Sequence, residues 1–191
     1  FLGTFTLCLT VLLVVHAPAS PAGALGIASS LMVGIYAHGP VSGGHLNPAV
    51  SFGLFCVKAI DFAEFILYMA AQVFGSLFAL LAAWSILRRM DVALVAKDLP
   101  ADSGKSGAAQ GTWGGIVGAE LIFTFILVLT VLNVAFRDTP NQYFGLAIGF
   151  VVVVGAHAVG AVSGGCFNPA VAIALDFGGL IGVDQGQFGF S

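Results

Sequence analysis

The chain has 191 residues, of which 59% are hydrophobic and only 8% are charged, and its formal net charge is −3. Its mean hydropathy of +1.04 excludes an ordinary soluble domain, and so weak a net charge gives no basis for a nucleic-acid partner. Apolar runs of about 20 residues cross a bilayer as helices, because backbone groups in lipid must be bonded internally. The alternating segments of a membrane barrel are absent from the sequence. We therefore predict an all-α membrane protein.

The first half of the chain contains three predicted spanning helices and one short apolar segment. Residues 1–15 form the first helix, whose first turn is expected to lie before residue 1, and residues 22–36 form a short second helix rich in small residues. Residues 37–46 are expected to be irregular. Residues 47–57 are apolar but too short to cross, which favours a re-entrant half-helix. Residues 62–87 form the third spanning helix.

The second half begins with the longest polar segment of the chain, residues 88–114, which is predicted to be a loop. Residues 116–136 and 143–161 then form the fourth and fifth predicted spanning helices. A second short apolar segment, residues 168–177, is again too short to cross and is predicted to be a half-helix. The remaining residues 178–191 are glycine-rich and are not expected to span the membrane.

A nonapeptide occurs twice. Residues 42–50 are Ser-Gly-Gly-His-Leu-Asn-Pro-Ala-Val, and residues 163–171 are Ser-Gly-Gly-Cys-Phe-Asn-Pro-Ala-Val. Proline suits the first position of a helix because its missing N–H would be unpaired there. Asparagine before it can cap the helix with its side-chain oxygen, which leaves its NH₂ group to donate. The two Asn-Pro-Ala boxes consist of Asn47, Pro48 and Ala49 and of Asn168, Pro169 and Ala170.

The order of elements repeats together with the boxes. Residues 1–5 resemble residues 121–125 at an offset of 120, and Asn168 follows Asn47 at an offset of 121. Because the first unit closes with a third spanning helix, the second unit enters the membrane upside down. This is an inverted-topology repeat, in which the functional site is expected near the midplane between the two units.

The chain is accordingly divided into a first repeat, residues 1–87, a connecting loop, residues 88–114, and a second repeat, residues 115–191. The first repeat holds three spanning helices and one half-helix, and the second holds two spanning helices and one half-helix. By the symmetry of such repeats, the second unit should also end in a spanning helix. A sixth spanning helix is therefore expected to be absent from this chain.

Two half-helices that enter from opposite faces are predicted to meet at their N-termini in the middle of the membrane. Irregular backbone at this depth is tolerated only inside protein or beside a wet cavity, so the loop carbonyls would line a passage. Each helix N-terminus carries roughly half a positive charge, which favours neutral polar molecules over cations and protons. This predicts passive conduction and no enzymatic activity. The predicted pore carbonyls are those of Gly43, Gly44, His45, Leu46, Gly164, Gly165, Cys166 and Phe167.

With its two Asn-Pro-Ala boxes in a duplicated apolar chain, the sequence resembles the aquaporins, the major intrinsic protein family. The resemblance implies six spanning helices plus two half-helices, one pore in each subunit and a homotetramer in a lipid bilayer. It also implies that Gln72 in the third helix and Glu120 in the fourth brace the loops that carry the boxes. The three cysteines lack the spacing of a zinc site, and no cofactor or metal is expected.

The resemblance also implies a constriction built from four positions, which counting from the boxes places at Ile27, Ala156, Gly165 and Val171. Water-selective members normally carry arginine directly after the second box, where this chain has Val171. Valine removes a fixed donor and a positive charge, so we expect a wider and more apolar constriction. Glycerol, urea and ammonia become candidate solutes, and proton exclusion would depend more on the two asparagines and the half-helix dipoles.

Five further residues have roles that the sequence leaves open. His157 either faces the pore or bonds to a neighbouring carbonyl. His45 either braces its loop or acts as a pH-dependent gate, since histidine titrates near neutral pH. Cys166 is either an apolar packing residue or a thiol that makes the pore sensitive to mercurials. His38 lies near the vestibule of the first loop, and Asp176 lies within the second half-helix.

The sequence thus predicts a passive channel for water and small uncharged solutes that excludes protons and ions. The expected location is the plasma membrane or an organelle membrane, with the chain crossing it several times. The alternative is a structural or junctional membrane protein of the same fold with little conduction. Both boxes are intact, which favours conduction, and the low charge of the predicted pore argues against an ion channel.

Overall fold

The structure is a computed structural model that describes residues 1–18, 20, 22–88, 113–136 and 142–184, with side chains described as far as residue 180. All seven elements in these parts of the chain are α-helices. Most of the predicted loop 88–114 and the end of the predicted tail lie outside the described residues. The helices are α1 Leu2–His16, α2 Gly23–Ser42, α3 Pro48–Cys56, α4 Phe62–Leu87, α5 Trp113–Val134, α6 Phe144–Ser163 and α7 Pro169–Asp184.

Four of the described helices, α2, α4, α5 and α6, are long and apolar enough to cross a membrane. Helix α1 is equally apolar but has 15 residues, and α3 has only nine. A helix of nine residues rises about 14 Å, far less than the apolar thickness of a bilayer. The prediction of an all-α membrane protein with short re-entrant helices is confirmed.

The two repeats interlock through their helices. Within the first repeat α1 packs against α2 and α4, and within the second α5 packs against α6. Helices α2 and α6 pack against each other and join the two repeats. The half-helix α3 contacts both α4 and α5, whereas α7 contacts α1 and α4 of the other repeat, and α3 and α7 touch. Each half-helix therefore contacts at least one spanning helix of the opposite repeat, which brings the two boxes to the centre of the bundle.

Glycines allow two of these helix pairs to approach closely. A Cβ atom added to Gly75 of α4 would lie 2.8 Å from the carbonyl oxygen of Phe1 at the start of α1. A Cβ atom added to Gly149 of α6 would lie 3.0 Å from the carbonyl oxygen of Ala28 in α2. Small residues at such crossings let membrane helices pack backbone to backbone. These contacts fix the positions of the helices that surround the boxes.

The prediction that residues 37–46 are irregular is wrong for the first six of them, because α2 continues to Ser42. Pro40 removes one hydrogen bond from the helix but does not end it. The N–H of Gly43 donates to the carbonyl of Gly39 at 2.9 Å and closes the last turn. The helix ends at Gly43, whose φ of 71° is left-handed and therefore suits glycine.

The second half-helix also extends further than the sequence predicts. Its predicted end lies near residue 177, at the start of a glycine-rich stretch, but α7 continues to Asp184. Gly178 and Gly179 are buried inside it. Glycine costs about 1 kcal/mol relative to alanine in a helix interior, and the packing of α7 against α1 and α4 outweighs that cost here.

Candidate pore

Each half-helix is capped by the asparagine of its box. Asn47 has extended backbone with φ −155°, and its Oδ1 accepts from the N–H of Ala49 at 2.8 Å. In the second box, Oδ1 of Asn168 accepts from the N–H of Ala170 at 3.0 Å. Both contacts satisfy a backbone N–H that the first turn of a helix leaves unpaired. The capping oxygens point back along the helices, so the NH₂ groups point away from them.

The two boxes bind each other through these NH₂ groups. Nδ2 of Asn47 donates to the carbonyl of Phe167 at 2.9 Å, and Nδ2 of Asn168 donates to the carbonyl of Leu46 at 3.0 Å. Both asparagines are buried, with 2% and 7% of their surface exposed. The sequence leaves both hydrogens of each amide free, whereas the structure engages one of the two. Since an amide carries two donor hydrogens, these contacts use one of the two on each asparagine.

The two loops before the boxes, residues 43–47 and 164–168, have the same unusual backbone. Leu46 and Phe167 adopt φ values of 51° and 50°, in a region that costs a non-glycine residue about 1–2 kcal/mol. Both side chains are buried, and such strain persists where the surrounding structure determines the conformation. The same positive φ occurs at Gly43, Gly44, Gly164 and Gly165.

Glu120 of α5 holds the second loop directly. Its Oε1 accepts from the N–H of Cys166 at 3.1 Å, and its Oε2 accepts from the N–H of Phe167 at 2.8 Å. A carboxylate at membrane depth needs such partners, and hydrogen bonds to a charged acceptor are the stronger ones. The hydroxyl of Ser163 also accepts from the N–H of Gly165 at 3.2 Å. The contacts of Glu120 are of the kind that the resemblance implies.

Gln72 of α4 reaches the first loop through another side chain. Its Nε2 donates to Oγ of Ser51 at 2.9 Å, and Oγ of Ser51 lies 3.0 Å from Nδ1 of His45. The ring of His45 stacks on Tyr68 with 4.0 Å between the ring centroids. The hydroxyl of Tyr68 in turn donates to the carbonyl of Ser42 at 2.9 Å. Among the described residues, the side chains that hold the first loop are therefore those of Gln72, Ser51 and Tyr68.

The sequence analysis does not single out Ser51 or Tyr68. Ser51 follows the first nonapeptide directly, and the residue at the same place after the second is Ala172. This difference directly after two similar nonapeptides was the signal in the sequence that could have pointed to Ser51.

A cavity of about 680 Å³ lies beside the two boxes. Every described helix except α4 contributes to its wall. Its lining on α6 extends from Phe144 to Ser163, which corresponds to about 28 Å along a helix. The cavity thus follows most of the thickness of a membrane. Its wall is mainly aliphatic, and the polar side chains in it are His45, Asn47, Ser163, Cys166 and Asn168.

Three of the four positions assigned to the constriction line this cavity. They are Ile27, Gly165 and Val171, and none of them carries a side-chain donor. Ala156 is not part of the wall but lies behind Gly165, where a Cβ atom on the glycine would come within 3.2 Å of its Cα. Val152, about one helical turn before Ala156, faces the cavity instead.

Two of the residues with open roles lie beside the second loop. His157 is exposed and is not part of the cavity wall. Its Nδ1 lies 2.8 Å from the carbonyl of Val153, to which it donates because a carbonyl only accepts. Cys166 lines the cavity, and its thiol donates to the carbonyl of Asn168 at 3.2 Å.

The other two, His38 and Asp176, lie on α2 and α7. His38 is half-buried beside α1, where a Cβ atom on Gly3 would approach its ring to 2.7 Å. Asp176 is exposed on α7. Among the residues that the structure describes, no group of three or more histidine, cysteine, aspartate or glutamate residues could hold a metal ion.

A helical membrane bundle with a long cavity beside two paired half-helices has the architecture of a channel. The model of the major intrinsic protein family matches residues 1–177, and the chain belongs to that family. It is therefore an integral membrane protein that crosses its membrane several times.

Several named proteins are similar to this chain. The glycerol uptake facilitator protein-like 6 of Lactiplantibacillus plantarum is 32% identical over 183 residues, which cover 91% of this chain and 79% of that protein. Aquaporin TIP1-1 of Arabidopsis thaliana is 39% identical over 158 residues, 79% of this chain and 57% of that protein. The X-ray structure of the aquaglyceroporin from Plasmodium falciparum matches with a TM-score of 0.74 and 22% identity, covering 96% of this chain and 81% of that one. The chain spans just over half the length of several of its aquaporin relatives.

Proposed function

We propose that this channel conducts water together with small uncharged solutes, such as glycerol, urea and ammonia, and excludes protons and ions. The observation that carries the proposal is the reciprocal contact of the two boxes beside the cavity. Asn47 and Asn168 each use one amide hydrogen to hold the other loop and keep the second for a solute. A neutral molecule then finds donors at the centre and carbonyl acceptors on either side.

The exclusion of cations and protons is supported by the meeting of two helix N-termini. Each contributes roughly half a positive charge, and α3 and α7 touch each other. In the cavity wall of the described residues, no acidic side chain is present to offset this charge. A cation at the asparagine pair would therefore face a barrier, whereas a neutral dipole would not.

The passage of solutes larger than water is supported by the wall around Val171. The side chains of Ile27, Val152 and Val171 are aliphatic, and Gly165 leaves space beside them. Such a wall accommodates the carbon skeleton of a polyol while the loop carbonyls accept from its hydroxyl groups. One of the named relatives is called glycerol uptake facilitator protein-like 6, a name that agrees with this choice of solute.

The test is stopped-flow light scattering on proteoliposomes that contain the purified protein. We expect osmotic water permeability well above that of empty vesicles, and measurable swelling in inward gradients of glycerol and urea. A pH-sensitive dye inside the vesicles should report no added proton flux. Water permeability equal to that of empty vesicles would contradict conduction and favour a structural or junctional role. Water flux without glycerol or urea flux would contradict only the proposed breadth.

We further propose that the subunits assemble into a homotetramer. The support is the family resemblance together with the broad apolar faces of the bundle. Large side chains of α5 such as Leu121, Ile122 and Phe125 are exposed in the single chain, and they suit contact with lipid or with other subunits. Light scattering on the protein in detergent is expected to give four chains per particle, and a monomer would contradict the assembly.

A further inference from the structure

The two ends of the main cavity differ in their side chains. Phe144 begins α6 and Ser163 ends it, and both line the cavity, so they mark its opposite ends. At the Phe144 end the wall also contains Phe136, just after α5, and Pro40, one turn after the Tyr36 ring that contacts Phe144. We call Pro40, Phe136 and Phe144 the aromatic mouth. The part of the wall that the structure describes contains no other phenylalanine, tyrosine or tryptophan.

The ring of Phe144 is supported by Tyr36 of α2. The two ring centroids lie 5.0 Å apart with an angle of 59° between the planes, a geometry that aromatic pairs favour. The hydroxyl of Tyr36 donates to the carbonyl of Gln142 at 2.9 Å, which ties the tyrosine to the chain just before α6. Tyr36 is not part of the cavity wall, whereas Phe144 is. The tyrosine therefore holds the phenylalanine ring from the side away from the cavity.

The first turn of α6 is built to receive this tyrosine. A Cβ atom added to Gly145 would lie 2.7 Å from Cε2 of Tyr36 and 2.9 Å from its Cζ. Gly145 is buried, so a side chain at this position would displace the tyrosine ring. Glycine here, the hydroxyl contact and the ring contact together fix Phe144. Its ring is thus a constant part of the outline of the cavity at this end.

The aromatic mouth offers an entering molecule no side-chain hydrogen bond, because Pro40, Phe136 and Phe144 carry no donor or acceptor there. A solute has to give up part of its hydration at such a place before it reaches the carbonyls of the first loop. Apolar constrictions in channels act in this way, through width and dewetting. The mouth therefore distinguishes solutes by their width and not by their hydrogen-bonding groups.

We propose that Phe144, positioned by Tyr36, is a specificity-determining residue that limits the width of solutes entering at the aromatic mouth. The inference rests on the proposed function, because a limit on width matters only if solutes pass. The pore then contains two apolar filters in series, the aliphatic wall around Val171 and the ring of Phe144. Compact neutral solutes such as urea pass the ring, and branched analogues such as N,N-dimethylurea are retarded.

The first test measures entry past the ring and does not require conduction. Ile148 lies one helical turn after Phe144 in the same wall and is 2% exposed, so Ile148→Cys reports on molecules that pass the mouth. The exposed Cys56 and the cavity-lining Cys166 are replaced by serine beforehand, whereas Cys8 is buried. The protein in lipid nanodiscs is labelled with a trimethylammonium methanethiosulfonate. The positive barrier at the boxes keeps this cation from arriving through the opposite end.

Phe144→Ala is expected to raise the labelling rate of Ile148→Cys about tenfold, the lower end of the discrimination that one misfitting methylene gives in an apolar site. Phe144→Leu keeps an apolar side chain at the start of α6 and should raise the rate less. Tyr36→Ala leaves Phe144 unsupported and should raise it too; an unchanged rate would overturn the positioning role. The matched control is Phe150→Ala, on the same helix, 49% exposed and outside the wall. Equal labelling with and without the ring of Phe144, or no labelling in either case, would overturn the proposal.

The second test measures the ratio of N,N-dimethylurea to urea permeability in proteoliposomes, with the flux through empty vesicles subtracted. Phe144→Ala should raise this ratio about tenfold and leave water permeability nearly unchanged, and Phe150→Ala should leave the ratio unchanged. The same ratio in Phe144→Ala as in the unmodified protein would overturn the proposal. If the unmodified protein conducts neither water nor urea, the proposed function fails, while the labelling rates still decide whether Phe144 bars entry.

Discussion

At the scale of single residues, the contacts of Asn47 and Asn168 connect folding to conduction. Each asparagine caps its own half-helix with its oxygen and ties the opposite loop with its nitrogen. One side chain therefore orients a helix, joins the repeats and presents a donor. Asparagine is suited to all three tasks because a carboxylate has no donor and alanine has neither group.

The carboxylate of Glu120 accepts from two backbone N–H groups, so removing its charge should lower the stability of the fold. Glu120→Gln keeps one acceptor but leaves the N–H of Cys166 or Phe167 facing an NH₂ group. We expect the free energy of unfolding to fall by about 1–3 kcal/mol, together with a loss of water permeability. Thermal unfolding in detergent measures the first effect. The control is Glu64→Gln, at an exposed helix cap, which should cost clearly less; an equal cost would argue against a special role of Glu120.

The residue at position 171 should determine which solutes besides water pass through the proposed pore. Val171→Arg places a charged donor in the cavity wall at the constriction, so we expect glycerol and urea flux to fall more than water flux. Val171→Ile adds bulk without charge and is the control. Solute and water permeability are measured on the same vesicles. Equal loss of both fluxes in the arginine variant would count against this location of the constriction.

His45 should not act as a gate near neutral pH. Its side chain is buried, its Nδ1 lies 3.0 Å from the hydroxyl oxygen of Ser51, and its ring stacks on Tyr68, so the ring is held in place by neutral groups. Osmotic permeability is therefore expected to be constant between pH 8 and pH 6.5. A step within that range that disappears in His45→Gln would contradict this.

At the scale of the helices, the close crossing of α1 and α4 depends on a single small residue. Gly75→Ala would bring a methyl group to 2.8 Å from a backbone oxygen of α1, and neither backbone can move away freely. We expect a loss of about 1–3 kcal/mol in unfolding free energy. Gly118→Ala is the control, since a Cβ atom there meets nothing within 4 Å. If both variants unfold at the same temperature, α1 and α4 do not cross as closely as described.

Much of the helix order could be predicted from the sequence, because the length of an apolar run and the position of a proline are visible in the sequence itself. The helix ends could not be predicted as well. Residues 37–46 were predicted to be irregular, and Gly39 and Pro40 have low helix propensity, yet α2 continues through them and Gly43 closes its last turn. The length of α7 depends on packing against α1 and α4, which overrides the low helix propensity of Gly178 and Gly179.

Part of the candidate site could also be predicted, because its motifs are visible in the sequence itself. The boxes and Glu120 are evident from the repeat and the resemblance, and the contacts of Glu120 agree with them. Ser51 could not be assigned, because its partners His45 and Gln72 are six and 21 residues away. Ala156 was placed by counting along the chain, whereas which residue faces the cavity depends on the rotation of α6.

At the scale of the whole molecule, the two repeats are joined at their centres. Helices α2 and α6 pack together, and α3 and α7 meet at their N-termini. The cavity follows this junction, so Asn47 and Asn168, which join the repeats, also line the proposed pore. Loss of the junction should therefore abolish conduction without removing the spanning helices.

The most direct measurement is the osmotic water permeability of the double variant Asn47→Ala, Asn168→Ala. It is compared with the unmodified protein at equal amounts of folded protein in the vesicles, as judged by gel filtration before reconstitution. Alanine removes both central donors and both contacts between the loops. The structure predicts that permeability falls to nearly that of empty vesicles. Permeability equal to that of the unmodified protein would contradict a pore that passes between the two asparagines.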